Sequence, residues 1–351
     1  MTRVVGIDPG TLSIDVCGME DGHLYLDHSW PTSEALSDPS EFIELLTTGG
    51  PPEIIIGPSG YGLPLQPAAE ATDNDLLLAF LAPADEPGGI GGLRSFARIL
   101  GSSGLPVFYV PGVIHLDTVP AYRKLNRVDL GTADKLCAVV LGIRDQCKRR
   151  GHTPEQSSFI LMELGGAFTA GVAVEWGQAV DGVGGTSGPI GWQAAGALDG
   201  EVAFLAREVT KSALFQGGIS SLLGHAPERR TAALDAYVEG VIKTVRQLRC
   251  SAPSADEVLL SGRHALDPNI HDRIAGGLAD FREVRLLTGS AVHAKQGAEG
   301  AALLADGLAG GANQPLVERL RIREARGTVL DHLLFVTPEA ARRRLGLDAG
   351  R

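Results

Sequence analysis

Four cysteines in 351 residues, Cys17, Cys137, Cys147 and Cys250, form no CxxC pair and have no histidine at ligand spacing, which argues against a zinc or iron–sulfur site. They read as reduced and mostly buried. Positive charge is also scarce: 31 Lys and Arg against 42 Asp and Glu leave a net charge of −11. Nucleic-acid affinity comes mostly from clustered Lys and Arg on phosphates, so nucleic acid is not expected as a partner, although a local basic pocket remains compatible with this balance. No stretch approaches the roughly 20 uninterrupted apolar residues of a membrane span, and Met1-Thr2-Arg3 leads straight into a strand with no charged region and long apolar run of a signal peptide. A cytoplasmic protein without a membrane partner is therefore expected. Aromatics make up only 5% of the chain while glycine numbers 46, a balance that suggests close backbone packing and glycine turns.

The length suits two lobes better than one core, since domains usually run to roughly 100 to 200 residues. Three strands open the chain, Val4 to Asp8, Ser13 to Met19 and His23 to His28, the last two joined by Glu20-Asp21-Gly22. A helix over Ser40 to Thr47 follows Asp38-Pro39, and Glu53 to Gly57 reads as a buried parallel strand. Residues 58 to 100 are rich in Gly and Pro and read as an insertion or substrate loop around a helix near Leu76 to Leu81. Val107 to Val110 is another strand, and helical spacing marks a long helix from Thr132 to Arg149.

The opening pattern then recurs about 155 residues on: Phe159 to Glu163, the turn Gly165-Gly166, Thr169 to Glu175 and Gln178 to Asp181. Helices are expected over Glu201 to Arg207, Thr231 to Arg249, Pro268 to Leu278 and His293 to Leu308, with strands at Glu257 to Leu260 and Glu283 to Leu287 and a charged helical tail.

Tandem glycine-turned hairpins of this kind resemble the acetate and sugar kinase, heat-shock 70 and actin superfamily. Gly6 to Val16 resembles its first phosphate loop, Glu163 to Val174 its second, Val258 to Arg263 its adenosine motif, with Ser261-Gly262 in place of paired glycines, and Gln296 to Leu308 the helix that crosses back between lobes. The resemblance implies an α/β protein of two ribonuclease-H-like lobes, the actin-like ATPase fold, with a nucleotide cleft between them. The expected lobes are 1–130 and 131–295, and 296–351 packs back on the first. More narrowly, Asp181 to Thr186 and Gly196 to Glu201 resemble a family of predicted butyrate kinases. Acetate and butyrate kinases carry Asn in the first loop, whereas Asp8 is more typical of the sugar and pantothenate kinase branches.

The residues themselves suit a phosphate cradle. Gly10, Gly165 and Gly166 let backbone N–H groups approach phosphate oxygens, and Thr11 and Thr169 add hydroxyls. Asp8 would hold Mg2+ through water against ATP, and Gly262 would face the adenosine. Either hairpin alone is an ordinary strand turn; recurrence at the same point of both halves carries the reading. For the acceptor side, Asp134-Lys135 resembles the Gly-x-Asp-Arg element of type III pantothenate kinases, in which the acid is the base and the cation holds substrate; a helix cap is the plainer alternative for Asp134. Asp117 resembles an acid of the acetate kinases, or is a turn acid. Arg123 and Arg127, with Lys124, are either a solvated face or receivers of an anionic substrate and the transferred phosphoryl group.

The function expected is thus an ATP-dependent kinase acting on a small molecule, with a carboxylate or a hydroxyl as acceptor, in a homodimer. A non-catalytic ATP switch of the same fold is the alternative. Gly60-Tyr61-Gly62 suggests the activator ATPases of radical dehydratases, but the cysteines they need are absent from that region. Gly6 to Thr11 also begins Holliday-junction resolvases, yet Ile54 to Gly57 runs into Pro58-Ser59-Gly60 with no second acid, and the net charge opposes DNA binding.

Overall fold

Val4, Val5 and Ile7 are fully or nearly buried, as the β-branched side chains of a central strand should be. In the computed structural model, which describes residues 2–10, 12–82 and 89–347, they lie on β1 (Arg3–Pro9). β1 pairs antiparallel with β2 (Ser13–Glu20), Asp8 standing opposite Asp15, and β2 with β3 (His23–Pro31). The helices α1 (Thr32–Ser37) and α2 (Pro39–Leu46) follow. Asp38 caps α2, accepting from the N–H groups of Ser40 and Glu41 at 3.2 and 3.4 Å. β4 (Ile54–Ile56) runs parallel to β1.

Residues 58 to 100 hold more structure than one helix in a loop. A short strand β5 (Gln66–Pro67) precedes α3 (Asp73–Phe80), which Thr72 and Asp75 close with a reciprocal capping box, and α4 (Gly89–Gly101) comes next. Its glycines disfavour a helix, but Leu93, Phe96, Ala97 and Leu100 recur at helical spacing and are buried; packing of that face outweighs propensity. β6 (Val107–Tyr109) then joins β4, and the first sheet has the order β3-β2-β1-β4-β6-β5.

Past α5 (Ala121–Lys124), α6 (Ala133–Arg150) starts after Thr132 and ends on Gly151 in the left-handed conformation. The meander β7 (Phe159–Leu164), β8 (Thr169–Glu175) and β9 (Gln178–Val183) repeats the opening of the chain. The helices α7 (Gly200–Ala206), α8 (Ile219–His225) and α9 (Arg230–Arg249) lead to β10 (Glu257–Ser261), and α10 (Pro268–Gly277) to β11 (Glu283–Leu286), both strands parallel to β7. The second sheet, β11-β10-β7-β8-β9, matches β6-β4-β1-β2-β3 strand for strand. The protein therefore has two tandem ribonuclease-H-like lobes, the actin-like ATPase fold.

α11 (Gln296–Leu308) begins three residues later than the sequence suggests. The N–H groups of Val292, His293 and Ala294 all donate to the Asp27 carboxylate at 2.7 to 3.1 Å, which holds them as a loop. α11 is wedged between β1 and α6. A Cβ on Gly6 would stand 2.2 Å from the Ala302 nitrogen, and one on Gly300 would stand 1.9 Å from the Cys137 carbonyl oxygen, so both contacts require glycine. α12 (Gln314–Leu320) and α13 (Pro338–Arg344) close the chain. Among the described residues no helix is long and apolar enough to cross a membrane.

Candidate functional site

The two glycine hairpins face each other. Gly10 donates to the Ser13 carbonyl at 2.8 Å in the first, and Gly165 to the Phe168 carbonyl at 3.0 Å in the second. A Cβ built on Gly166 would touch Leu12 from the first hairpin, at 3.8 Å, and Arg263 at 3.5 Å. Gly262, at φ +86°, backs onto the second hairpin, with the Leu164 carbonyl 2.5 Å from where a side chain would begin. Gly165, Gly166 and Gly262 thus pack together next to Leu12 of the first hairpin, and Gly10 lies against the Lys295 side chain. Thr11 lies outside the described residues.

Asp8 ends β1 and is 7% exposed. Burial raises its pKa, Lys295 and Lys135 oppose that, Asp134 and Glu163 add to it, and the value settles at about 7. Gly297 in the first turn of α11 lies directly against the Asp8 carboxyl. Lys295 reaches Asp15 Oδ2 at 2.7 Å; burial lowers its pKa, but Asp8 and Asp15 outweigh that and hold it up.

At the start of α6 the Thr132 hydroxyl donates to Asp134, and Lys135 Nζ stands 2.5 Å from Asp134 and 2.8 Å from Glu163. Burial pushes the Asp134 carboxyl up, yet Lys135 and these hydrogen bonds outweigh it and keep the pKa below the usual range. Lys135 is held well above its own usual value, its burial outweighed by Asp134, Glu163 and Asp8. Asp134 and Lys135 thus lie beside Asp8, with more than a cap's role available to them.

Beside this cluster is a pocket of about 200 Å3 whose walls come from both lobes, Tyr61, Phe80 and Val110 on one side and Phe168 and Phe215 on the other. Phe168 and Phe215 meet edge to face at 4.8 Å. The charged residues among its described lining are Asp129, Asp134 and Lys135. Asp129 is buried, accepts from the Gly131 N–H at 2.7 Å, and has its pKa raised by burial.

Four expected site residues are elsewhere. Asp117 forms an ion pair with Arg321 at 2.6 Å, each about half exposed, and it is not in the pocket lining. Arg123 donates to the Val180 carbonyl at 2.8 Å and stands 3.9 Å from Asp181, packing against β9. Arg127 is exposed on the turn after α5. Thr169 is wholly buried and its hydroxyl donates to Tyr237 at 3.4 Å, which turns it into the core and away from any phosphate. Conversely, the cluster includes Glu163, Lys295, Asp15 and Asp129, none of which the sequence singles out as a site residue. Glu163 has a signal, because it lies near the end of β7 at the point where Asp8 lies on β1; Lys295 is brought in only by the tertiary path of α11.

A family model described as "Protein of unknown function (DUF1464)" matches residues 6–335. No curated protein matches the chain by sequence. Among solved structures the chain is similar to a propionate kinase from Francisella tularensis subsp. tularensis SCHU S4, at 14% identity and a TM-score of 0.57, covering 86% of this chain and 98% of that one. It is also similar to the acetate kinase of Entamoeba histolytica, at 10% identity and 0.54 over 79% and 86% of the two chains. For the Porphyromonas gingivalis acetate kinase the figures are 13% and 0.52 over 80% and 88%. At these identities the likeness is one of fold.

Proposed function

The chain belongs to the DUF1464 family, and we propose that this member is an ATP-dependent small-molecule kinase. The observation that carries the reading is the pair of facing glycine hairpins with the acids Asp8 and Glu163 at corresponding points near the strand ends, Lys135 between the carboxylates, and an aromatic-walled pocket alongside. Facing hairpins offer backbone N–H groups to a triphosphate from both sides. The pocket then holds the acceptor within reach of the same cluster, which an ATP-binding switch would not need. The fold shared with acetate and propionate kinases supports the reading.

The cluster also suits a magnesium ion. Four carboxylates, Asp8, Asp15, Asp134 and Glu163, surround two lysines, Lys135 and Lys295, so the site has an excess of negative charge that a divalent cation would offset. Among the described residues no three His, Cys, Asp or Glu side chains form a complete metal site. Mg2+ itself takes one or two carboxylates and completes its shell with water and phosphates. Asp8 would hold it, and bound there it would neutralise phosphate charge during transfer. Lys135 fixes the direction of Asp134, and the aromatic walls offer the acceptor an apolar surface.

Isothermal titration calorimetry tests the proposal. ATP or ADP should bind in a magnesium-dependent manner, and Asp8→Asn should weaken mainly the magnesium-dependent part. Nucleotide binding indifferent to magnesium, or none at all, would sink it.

A further inference from the structure

The acceptor's chemistry can be read from the pocket, on the premise that the kinase proposal holds. We infer that the acceptor is a neutral alcohol with a compact apolar body, and that the site excludes the carboxylate of an acyl substrate. Two features carry this: the apolar walls, and the sign of the charge among the lining residues.

The walls include Tyr61, Phe80, Phe168 and Phe215, four aromatics in a chain with five Tyr, ten Phe and three Trp. Such a concentration favours a branched aliphatic or single-ring body over a polyol, whose hydroxyls would be left unpaired against hydrocarbon. Two aspartates and one lysine are the charged residues of the described lining, and Lys135 already serves both Asp134 and Glu163. A carboxylate entering there would meet like charge with no uncommitted ammonium among the described lining residues. The cations expected to receive an anion are engaged or distant: Arg123 is bound to the Val180 carbonyl and faces Asp181, Lys124 donates to the Leu116 carbonyl at 2.7 Å, and Arg127 is on the surface; the Lys211 ammonium lies 5.3 Å over the Tyr61 ring and is not among the lining residues.

A hydroxyl suits the same place. Its oxygen would attack the γ-phosphorus of the nucleoside triphosphate while the bond from that phosphorus to the bridging oxygen breaks, the electron pair leaving with the diphosphate. The hydroxyl proton passes to the Asp134 carboxylate, which Thr132 and Lys135 hold in position.

The test uses matched pairs sharing a carbon skeleton: benzyl alcohol with benzoate, 3-methylbutanol with 3-methylbutanoate, and butanol with butyrate. Saturation-transfer NMR on the full chain with Mg-ADP reads binding; ADP release with Mg-ATP reads turnover; and hydroxylamine traps any acyl phosphate, which a phosphate ester resists. The alcohol of at least one pair should bind, release ADP at least about tenfold faster than its acid, and yield no hydroxamate. Asp134→Asn should keep alcohol binding and lose about a hundredfold or more in turnover. Hydroxamate from any acid, or saturation transfer to none of the alcohols, overturns the inference; both are read on the wild-type chain and so hold even if the variant fails to fold. Acyl phosphate formation would leave the kinase reading intact, whereas loss of magnesium-dependent nucleotide binding would remove both.

Discussion

Asp8 is an acid whose folded environment works against its charge. Its pKa rises from 3.8 to about 7, so the folded protein holds a proton there that the unfolded chain has already released between those pH values. Stability from this group is complete below about pH 4 and is lost as pH climbs through 7. Asp8→Asn, which carries no charge to bury, should therefore raise the melting temperature of the nucleotide-free protein at pH 8 and give a clearly smaller gain at pH 5, read by differential scanning fluorimetry at both values. Lys135 has the opposite role. Removing its ammonium leaves Asp134 and Glu163 without their shared partner, so Lys135→Met should cost about 3 kcal/mol in urea unfolding at pH 7. Of these residues, Asp8, Asp134 and Lys135 stand out in the sequence because each sits in a short motif beside a glycine or a helix start. Asp117, Arg123 and Thr169 look equally eligible there, and only tertiary packing tells them apart: an arginine 204 residues away in the chain takes Asp117, and a core tyrosine takes Thr169.

The elements show where sequence patterns suffice. β1, β2 and their counterparts β7 and β8 are legible because a run of apolar residues and a glycine turn are local signals. α4 is not, since its glycines mask a stripe that only burial completes, and the start of α11 escapes a sequence reading because Asp27, far away in the chain, captures three of its preceding N–H groups. α11 itself is intolerant of volume. Gly300→Val would drive a side chain into the Cys137 carbonyl on α6, and we expect a loss of at least about 3 kcal/mol in denaturant unfolding. Substituting Gly224, where a Cβ would meet nothing within 4 Å, supplies the control and should change stability by no more than about 1 kcal/mol. Equal effects at the two positions would show that α11 is not held by close backbone contact.

At the scale of the whole molecule, the repeat of strand order is readable because the same motif occurs twice, but the way the halves share a core is not. One buried cluster runs from Val4 on β1 through Val139 on α6 and Ala302 on α11 to Leu347 near the end of the chain. A chain ending at residue 295 would leave the α11 side of β1 uncovered, so it should be degraded by trypsin far faster than the full chain; equal resistance would contradict the shared core. The same arrangement bears on how the protein is born. The strands made first need a helix made nearly last, so at ribosomal speeds of roughly 5 to 20 residues per second the opening sheet waits roughly ten to thirty-five seconds between residue 130 and residue 308. Through that interval its apolar face is available to chaperones and to neighbouring nascent chains, and slow codons late in the message would lengthen the exposure.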